Sequence, residues 1–168
     1  MITSSAIQQA TIEQADVSDI AALIAIAEKR KLSHWSRRNY LDELARPDSI
    51  ILAARLPEAG VVGFIVGRVY HGSADDPLME AEIYNIGVFE ECQGLGLGKR
   101  LFDGFLERCH NANVEKIWLE VRASNEMAIA FYDRNGFVKH SVRKSFYSHP
   151  LEDGIVMSLS IERSTVSR

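Results

Sequence analysis

The chain is sparing with the residues that would settle a function class by composition. Its two cysteines among 168 residues, Cys92 and Cys109, are too few for a disulfide framework and lack the spacing of a zinc site, so they read as free thiols in a reducing compartment. Nothing in Glu91 or Gln93, the neighbours of Cys92, would lower its pKa and make it reactive. The five histidines, His34, His71, His110, His140 and His149, show no ligand spacing with Cys or Asp, and no metal is expected. There is no strong charge imbalance either: the net charge is −4. Gripping a phosphate backbone by counterion release needs clustered Lys and Arg, so a nucleic-acid partner is not expected, and a cationic or amine substrate suits the balance better. The longest apolar run, Ile20 to Ala27, is far below the roughly 20 residues that cross a bilayer. Met1 to Ser5 offer no basic stretch followed by an apolar core. The expectation is a cytoplasmic protein with no membrane partner.

What is present is ordinary for a globular chain: 46% hydrophobic and 25% charged residues, long enough for one domain with a real core and short for two. One domain over residues 1–163 is expected, with 164–168 as a short tail. Residues 10–14 read as a first strand. A helical stripe of Ile20, Leu23, Ile24 and Ala27 follows, then a second helix from Ser36, its N-cap, to Ala45, stopped by Pro47. Residues 49–56 and 61–70 are rich in β-branched and apolar side chains around a 57–60 turn, and predict a hairpin. A polar loop over 71–77 leads to a strand over 78–88. Further strands are predicted over 116–121, 137–144 and 154–160, and a helix over 125–134. Strands and helices in this order predict an α+β fold: one mixed sheet covered by helices on both faces.

The stretch with the most chemistry is Gln93-Gly94-Leu95-Gly96-Leu97-Gly98-Lys99-Arg100. It joins a strand to a helix whose apolar stripe runs through Leu97, Leu101, Phe102, Phe105, Leu106 and Cys109. The first N–H groups of such a helix have no internal partners and sit at the positive end of the helix dipole. Glycines at 94, 96 and 98 let an anion approach the backbone, and Lys99 adds a mobile cation, so a phosphate or diphosphate is the natural ligand. It is not a Walker A loop, because Gln93 stands where the first glycine belongs and Arg100 where the magnesium-binding hydroxyl belongs. Nor is it G-x-G-x-x-G, because Lys99 occupies the third glycine's place. The pattern present is Gln-x-x-Gly-x-Gly.

With that pattern, and with Trp118-Leu119-Glu120-Val121-Arg122-Ala123-Ser124-Asn125, Ala130-Phe131-Tyr132 and Asn135-Gly136-Phe137 downstream, the chain resembles the GNAT superfamily of acyl-CoA N-acyltransferases. Within it, the likeness is to the bacterial ribosomal-protein-alanine N-acetyltransferases. The close match covers residues 80 to 160. The resemblance implies a mostly antiparallel sheet splayed between its fourth and fifth strands, acetyl-CoA as cofactor without a metal, and a protein N-terminus as acceptor, with the protein a monomer or weak homodimer. Two departures stand out. Gly94 and Leu95 replace the basic residues usual after Gln93, which removes a cationic contact, and Ser145-Phe146-Tyr147 replaces a common Asn-Tyr-Tyr.

Acyl transfer to an amine needs a base for the ammonium, a donor for the oxyanion and a proton for the departing thiolate. The resemblance gives the first task to Glu120 and the last to Tyr132. Bare residue physics leaves alternatives: Glu120 as an edge carboxylate paired with Arg122, and Tyr132 as a core aromatic. The backbone of Ile86, Gly87 and Val88 is implied to bind the pantetheine arm, with the Val88 N–H facing the thioester oxygen; otherwise it is a buried strand. The diphosphate is assigned to Gly94, Leu95, Gly96, Leu97, Gly98 and Lys99. Asn125 is a helix N-cap and, by resemblance, a contact to the cofactor chain. Trp35 is either an anchor for two short helices or a wall of the acceptor groove. Transfer to a small amine, and a non-catalytic acyl-CoA-binding domain, are the rival readings.

Overall fold

The structure, a computed structural model, describes residues 2, 4–72 and 78–162. Its helices are α1 (Ser4–Gln8), α2 (Ile20–Lys29), α3 (Arg37–Leu44), α4 (Leu97–Asn111) and α5 (Glu126–Arg134). Its strands are β1 (Thr11–Gln14), β2 (Ser49–Leu56), β3 (Gly60–His71), β4 (Met79–Val88), β5 (Val114–Arg122), β6 (Val138–Ser148) and β7 (Leu151–Ser160). All seven strands form one sheet in the order β1-β2-β3-β4-β5-β7-β6. Every neighbouring pair is antiparallel except β4 and β5, whose helical crossover through α4 makes them parallel.

Alternation along the strands divides the core in two. Ala81 and Ile83 of β4 with Ile117, Leu119 and Val121 of β5 face Leu97, Leu101, Phe102 and Phe105 of α4 and Tyr132 of α5. On the other face, Ile51, Ala53, Phe64 and Val66 meet Ile20, Leu23 and Ile26 of α2 and Tyr40 of α3. Helices thus cover both faces, as the pattern predicts. The second face is covered only in part: α2 and α3 pack on β2, β3 and β4, which leaves β5, β7 and β6 uncovered on that side. Ser36 caps α3 as expected, accepting from the Asn39 N–H at 3.2 Å while Asn39 Oδ1 accepts from the Ser36 N–H at 2.8 Å.

The structure departs from the sequence reading at both ends. The N-terminal residues form α1, tied down by Arg100, which donates to the carbonyls of Ile7 and Ala10 at 3.0 and 2.5 Å. A five-residue helix fixed from 90 residues away leaves no local signal. The closing strands are longer than predicted and meet in a tight hairpin. Residues 145–153 lie between the two strands expected over 137–144 and 154–160, but their pairing with each other and the Arg122 bonds described below extend both strands. Residues 73–77 of the predicted loop and the tail 164–168 lie outside the described residues.

Candidate active site

β4 and β5 pair only from Met79↔Val114 to Ile83↔Leu119, although β4 continues to Val88 and β5 to Arg122. The cause is visible on the other side of β4. Val66 pairs with Asn85 but Gly67 with Ile83, so Tyr84 is an extra residue in the ladder, and such a bulge bends its strand. The bend falls where pairing with β5 stops, and a wedge opens between residues 84–88 and 120–122. The Phe89 N–H donates to Val62 O at 2.9 Å. Antiparallel alternation then turns the backbone groups of Asn85 and Gly87 toward β3, and those of Ile86 and Val88 into the wedge. The Val88 carbonyl accepts from Gln93 Nε2 at 3.2 Å, which gives the first residue of the Gln-x-x-Gly-x-Gly pattern a role tying the turn to the strand. Three groups remain aimed at the wedge: the Ile86 N–H, the Ile86 carbonyl and the Val88 N–H.

Gly87 therefore contributes no wedge donor, contrary to the expectation that all three residues of 86–88 offer backbone groups. Its need for a missing side chain is steric, because a Cβ there would stand 2.8 Å from Leu32 Cδ1 and 3.2 Å from Ile26 Cγ2.

At the mouth of the wedge, Gly94 (φ +69°) and Gly96 (φ +85°) hold left-handed backbone conformations that other residues adopt only with strain, and a Cβ at either would point into open space. Gly96 is the N-cap of α4 and provides no side-chain cap, so the first N–H groups of a 15-residue helix face outward with the dipole behind them. This is a bare anion cradle. Lys99 is not a loose cation beside it, because its Nζ is paired with Asp103 one turn along. Arg100 is committed to α1.

Glu120 lies on the opposite face of the sheet from α4 and α5, on the uncovered stretch of β5. Its carboxylate, 22% exposed, receives a bond from Arg143 Nη1 at 2.5 Å. Arg122, the partner considered from sequence, instead bonds Glu152 at 2.9 Å and the carbonyls of His149 and Pro150, and its guanidinium stacks 4.2 Å from the Tyr147 ring. These contacts clamp the turn between β6 and β7 to the end of β5. They also bring Tyr147 to the wedge, where burial, and next the charge of Glu120, raise its pKa. Tyr132, in the core against Phe131 and Phe137, has its pKa pushed well above the usual tyrosine value by burial first and by Tyr147 second. Charge thus couples Glu120 to Tyr147 and Tyr147 to Tyr132.

Three residues of this groove escaped the sequence reading. Glu82, level with Trp118 on β5, adds a second carboxylate whose pKa is raised by burial and then by Glu120. Tyr84 stands on the bulge between Trp35 (ring centroids 5.8 Å apart) and Arg68 (5.4 Å). Arg68 is itself bound by both oxygens of Glu43, 2% exposed beneath it. Strand alternation could have flagged Glu82, since it shares a face with Glu120; a bulge at Tyr84 has no local signature. Trp35 packs on core Tyr40 at 5.3 Å as well as on Tyr84, the anchoring contact expected of it. Asn125 caps α5, accepting from the Ala128 N–H at 3.1 Å. Among the described residues, no three His, Cys, Asp or Glu side chains gather as a metal site, and no helix is long and apolar enough to cross a membrane.

A sheet split beside a glycine-rich anion cradle, with a carboxylate on the far face, defines the acyl-CoA N-acyltransferase class. Residues 19–137 match the acetyltransferase (GNAT) family, and the chain belongs to it. Over 154 residues the chain is 30% identical to the [ribosomal protein bS18]-alanine N-acetyltransferase of Escherichia coli K12, covering 90% of this chain and 97% of that one. The crystal structure of the ribosomal-protein-S18-alanine N-acetyltransferase from E. coli superposes with a TM-score of 0.75 at 26% identity, over 95% of this chain and 99% of the other. That of Ard1 from Thermoplasma volcanium does so with a TM-score of 0.79 at 29% identity, over 92% and 99%.

Proposed function

We propose that the protein transfers the acetyl group of acetyl-CoA to the α-amine of a protein N-terminus, with a ribosomal protein beginning with alanine as the acceptor and the cytoplasm as the place of reaction. The observation that carries this reading is the wedge itself. It joins the face bearing the anion cradle to the face bearing Glu120, so two substrates can enter from opposite sides and meet. The kinship with ribosomal-protein-alanine acetyltransferases supports the acceptor.

The residues present fit a CoA thioester: an uncapped helix start for a diphosphate, two open glycine positions, and an unpaired strand edge matching the amides of a pantetheine arm. When bound, acetyl-CoA supplies an acetyl group activated as a thioester. The N–H groups from Gly94 through Lys99 hold the diphosphate, and Ile86 and Val88 pair with the arm as another strand would. The Val88 N–H stabilises negative charge on the thioester oxygen as the amine attacks. Asn125, with its carboxamide oxygen engaged in the cap, presents its NH₂ to the same arm. An N-terminal ammonium titrates at about 8, so a modest fraction is free amine at neutral pH, and Glu120 takes the remaining proton directly or through water. Tyr132 faces a leaving thiolate whose conjugate acid has a pKa of about 8.5. Since burial holds the phenol above its own usual value, full proton transfer to sulfur runs uphill, and Tyr132 serves by donating a hydrogen bond to the departing sulfur.

The test is a panel of N-terminal peptides and small amines incubated with acetyl-CoA and read by thiol release. Peptides beginning with alanine should turn over fastest. Turnover of small amines alone would replace the acceptor while leaving the family intact. Cofactor binding with no turnover of any amine would make the protein a binding domain.

A further inference from the structure

The loop 30–36 between α2 and α3 is seated on β4 residue by residue. Leu32 lies where a side chain at Gly87 would stand, with its Cδ1 2.8 Å from that Cβ position. The Ser33 carbonyl accepts from Asn85 Nδ2 at 3.3 Å. The Trp35 ring rests on Tyr84. Three loop residues thus run against three residues of the strand segment that borders the wedge. Only one of the three contacts is directional. Asn85 is 5% exposed, its backbone is engaged with β3, and its side chain reaches across to a loop more than fifty residues earlier.

The ends of this loop are held locally: the Lys31 N–H donates to Glu28 O at 3.2 Å and the Leu32 N–H to Ala27 O at 2.9 Å, and Ser36 is fixed by its cap on α3. Lys31 sits at φ 53°, the left-handed position that closes α2 through the first two of those bonds. On the helix side, a cavity of about 100 Å³ opens between α2 and the loop, with Ala27, Leu32 and Trp35 in its lining. Between those two ends, at 33–35, the hydrogen bond that reaches the loop is the one from Asn85.

We propose that Asn85 is a positioning residue for acetyl transfer: its carboxamide fixes the 30–36 loop to β4, so that one strand sets both the wall met by the acceptor and the edge met by the cofactor. This role rests on the groove beside Trp35 and Tyr84 being the acceptor site of the proposed reaction. Removing the tether loosens the acceptor's wall and leaves the backbone groups of Ile86 and Val88 where they are.

Asn85→Ala in the full-length protein is expected to raise the acceptor KM about tenfold, the weight of one buried hydrogen bond. kcat and the Kd for acetyl-CoA by calorimetry should stay unchanged. Amide hydrogen exchange should quicken at residues 31–36 and not in β4. A second series needs no change at position 85. Gly87→Ala drives a methyl into Leu32 and should reproduce the KM effect, and adding Leu32→Ala should relieve it. A parallel rise in cofactor Kd, unaltered exchange at 31–36, or a double variant worse than Gly87→Ala would each overturn the proposal. If the wild-type protein acetylates no peptide N-terminus, the functional reading fails by itself, and the exchange pattern still decides whether Asn85 holds the loop.

Discussion

Single side chains at the wedge carry separable tasks. In the proposed mechanism Glu120 is shared between proton abstraction and Arg143, whose side chain is 54% exposed and so competes with water for the carboxylate. Glu120→Gln keeps the shape and a hydrogen-bond acceptor but removes the base. It is expected to lower kcat by about 10²–10⁴, the usual contribution of a positioned general base, while calorimetric affinity for acetyl-CoA is retained. Gly96 separates the other way. A Cβ there meets no protein atom, so Gly96→Ala should cost only the left-handed backbone penalty, about 1–2 kcal/mol in thermal or denaturant unfolding. The same methyl projects into the cradle, and acetyl-CoA binding should fall by more than the stability does. The sequence placed Glu120, Tyr132 and the glycines on their strand, helix and turn, because motif spacing is local. The partners Arg143 and Tyr147 were not legible, because they depend on how an edge hairpin folds back.

At the scale of elements, the wedge is the product of one bulge and one clamp. The bulge at Tyr84 ends the pairing of β4 with β5, and Arg122 fixes the β6–β7 turn against the end of β5. The order of elements from 10 to 134 was readable because each has its own period or cap: α2 by its apolar stripe, α3 by Ser36, β2 and β3 by their β-branched runs. Residues 145–153 were not, since β6 is exposed almost throughout and carries no apolar alternation to reveal it. Strand alternation puts Glu82 and Glu120 on one face of the sheet, Glu82 within the paired part of β4 and β5 and Glu120 just past its end, and this has a measurable pH signature. The folded-state pKa of Glu82 is raised, so the native protein binds more protons than the unfolded chain in the window above the ordinary carboxylate value of about 4.5. The stabilising contribution is full below that value and is lost as pH rises through the higher native pKa. Glu82→Gln, which cannot ionise, should therefore gain in Tm relative to the wild type as pH climbs from 4 to 7. A difference that stays flat over that range would show Glu82 to be ordinarily solvated.

For the molecule as a whole, the two thiols report on how the fold opens. Cys92 precedes the anion cradle and Cys109 lies near the end of α4; both are buried in the same apolar cluster. Burial pushes the Cys109 thiol up to about 12, and burial followed by the charge of Glu91 raises that of Cys92. Neither offers thiolate at pH 8, and neither is reachable, so an alkylating reagent should modify them only through opening of the structure. Cys109 sits beneath the sheet's central strands, and its labelling should track global unfolding. Acetyl-CoA has no free thiol to consume reagent, and by mass action a concentration 100 times its Kd stabilises the folded protein by about 2.7 kcal/mol. Labelling of Cys109, followed by mass spectrometry, should then slow about 100-fold. Cys92 divides the possibilities: if the glycine-rich turn opens with the rest of the fold, both thiols slow together. If Cys92 reacts faster without ligand and is protected more strongly with it, the turn opens locally and the cofactor closes it.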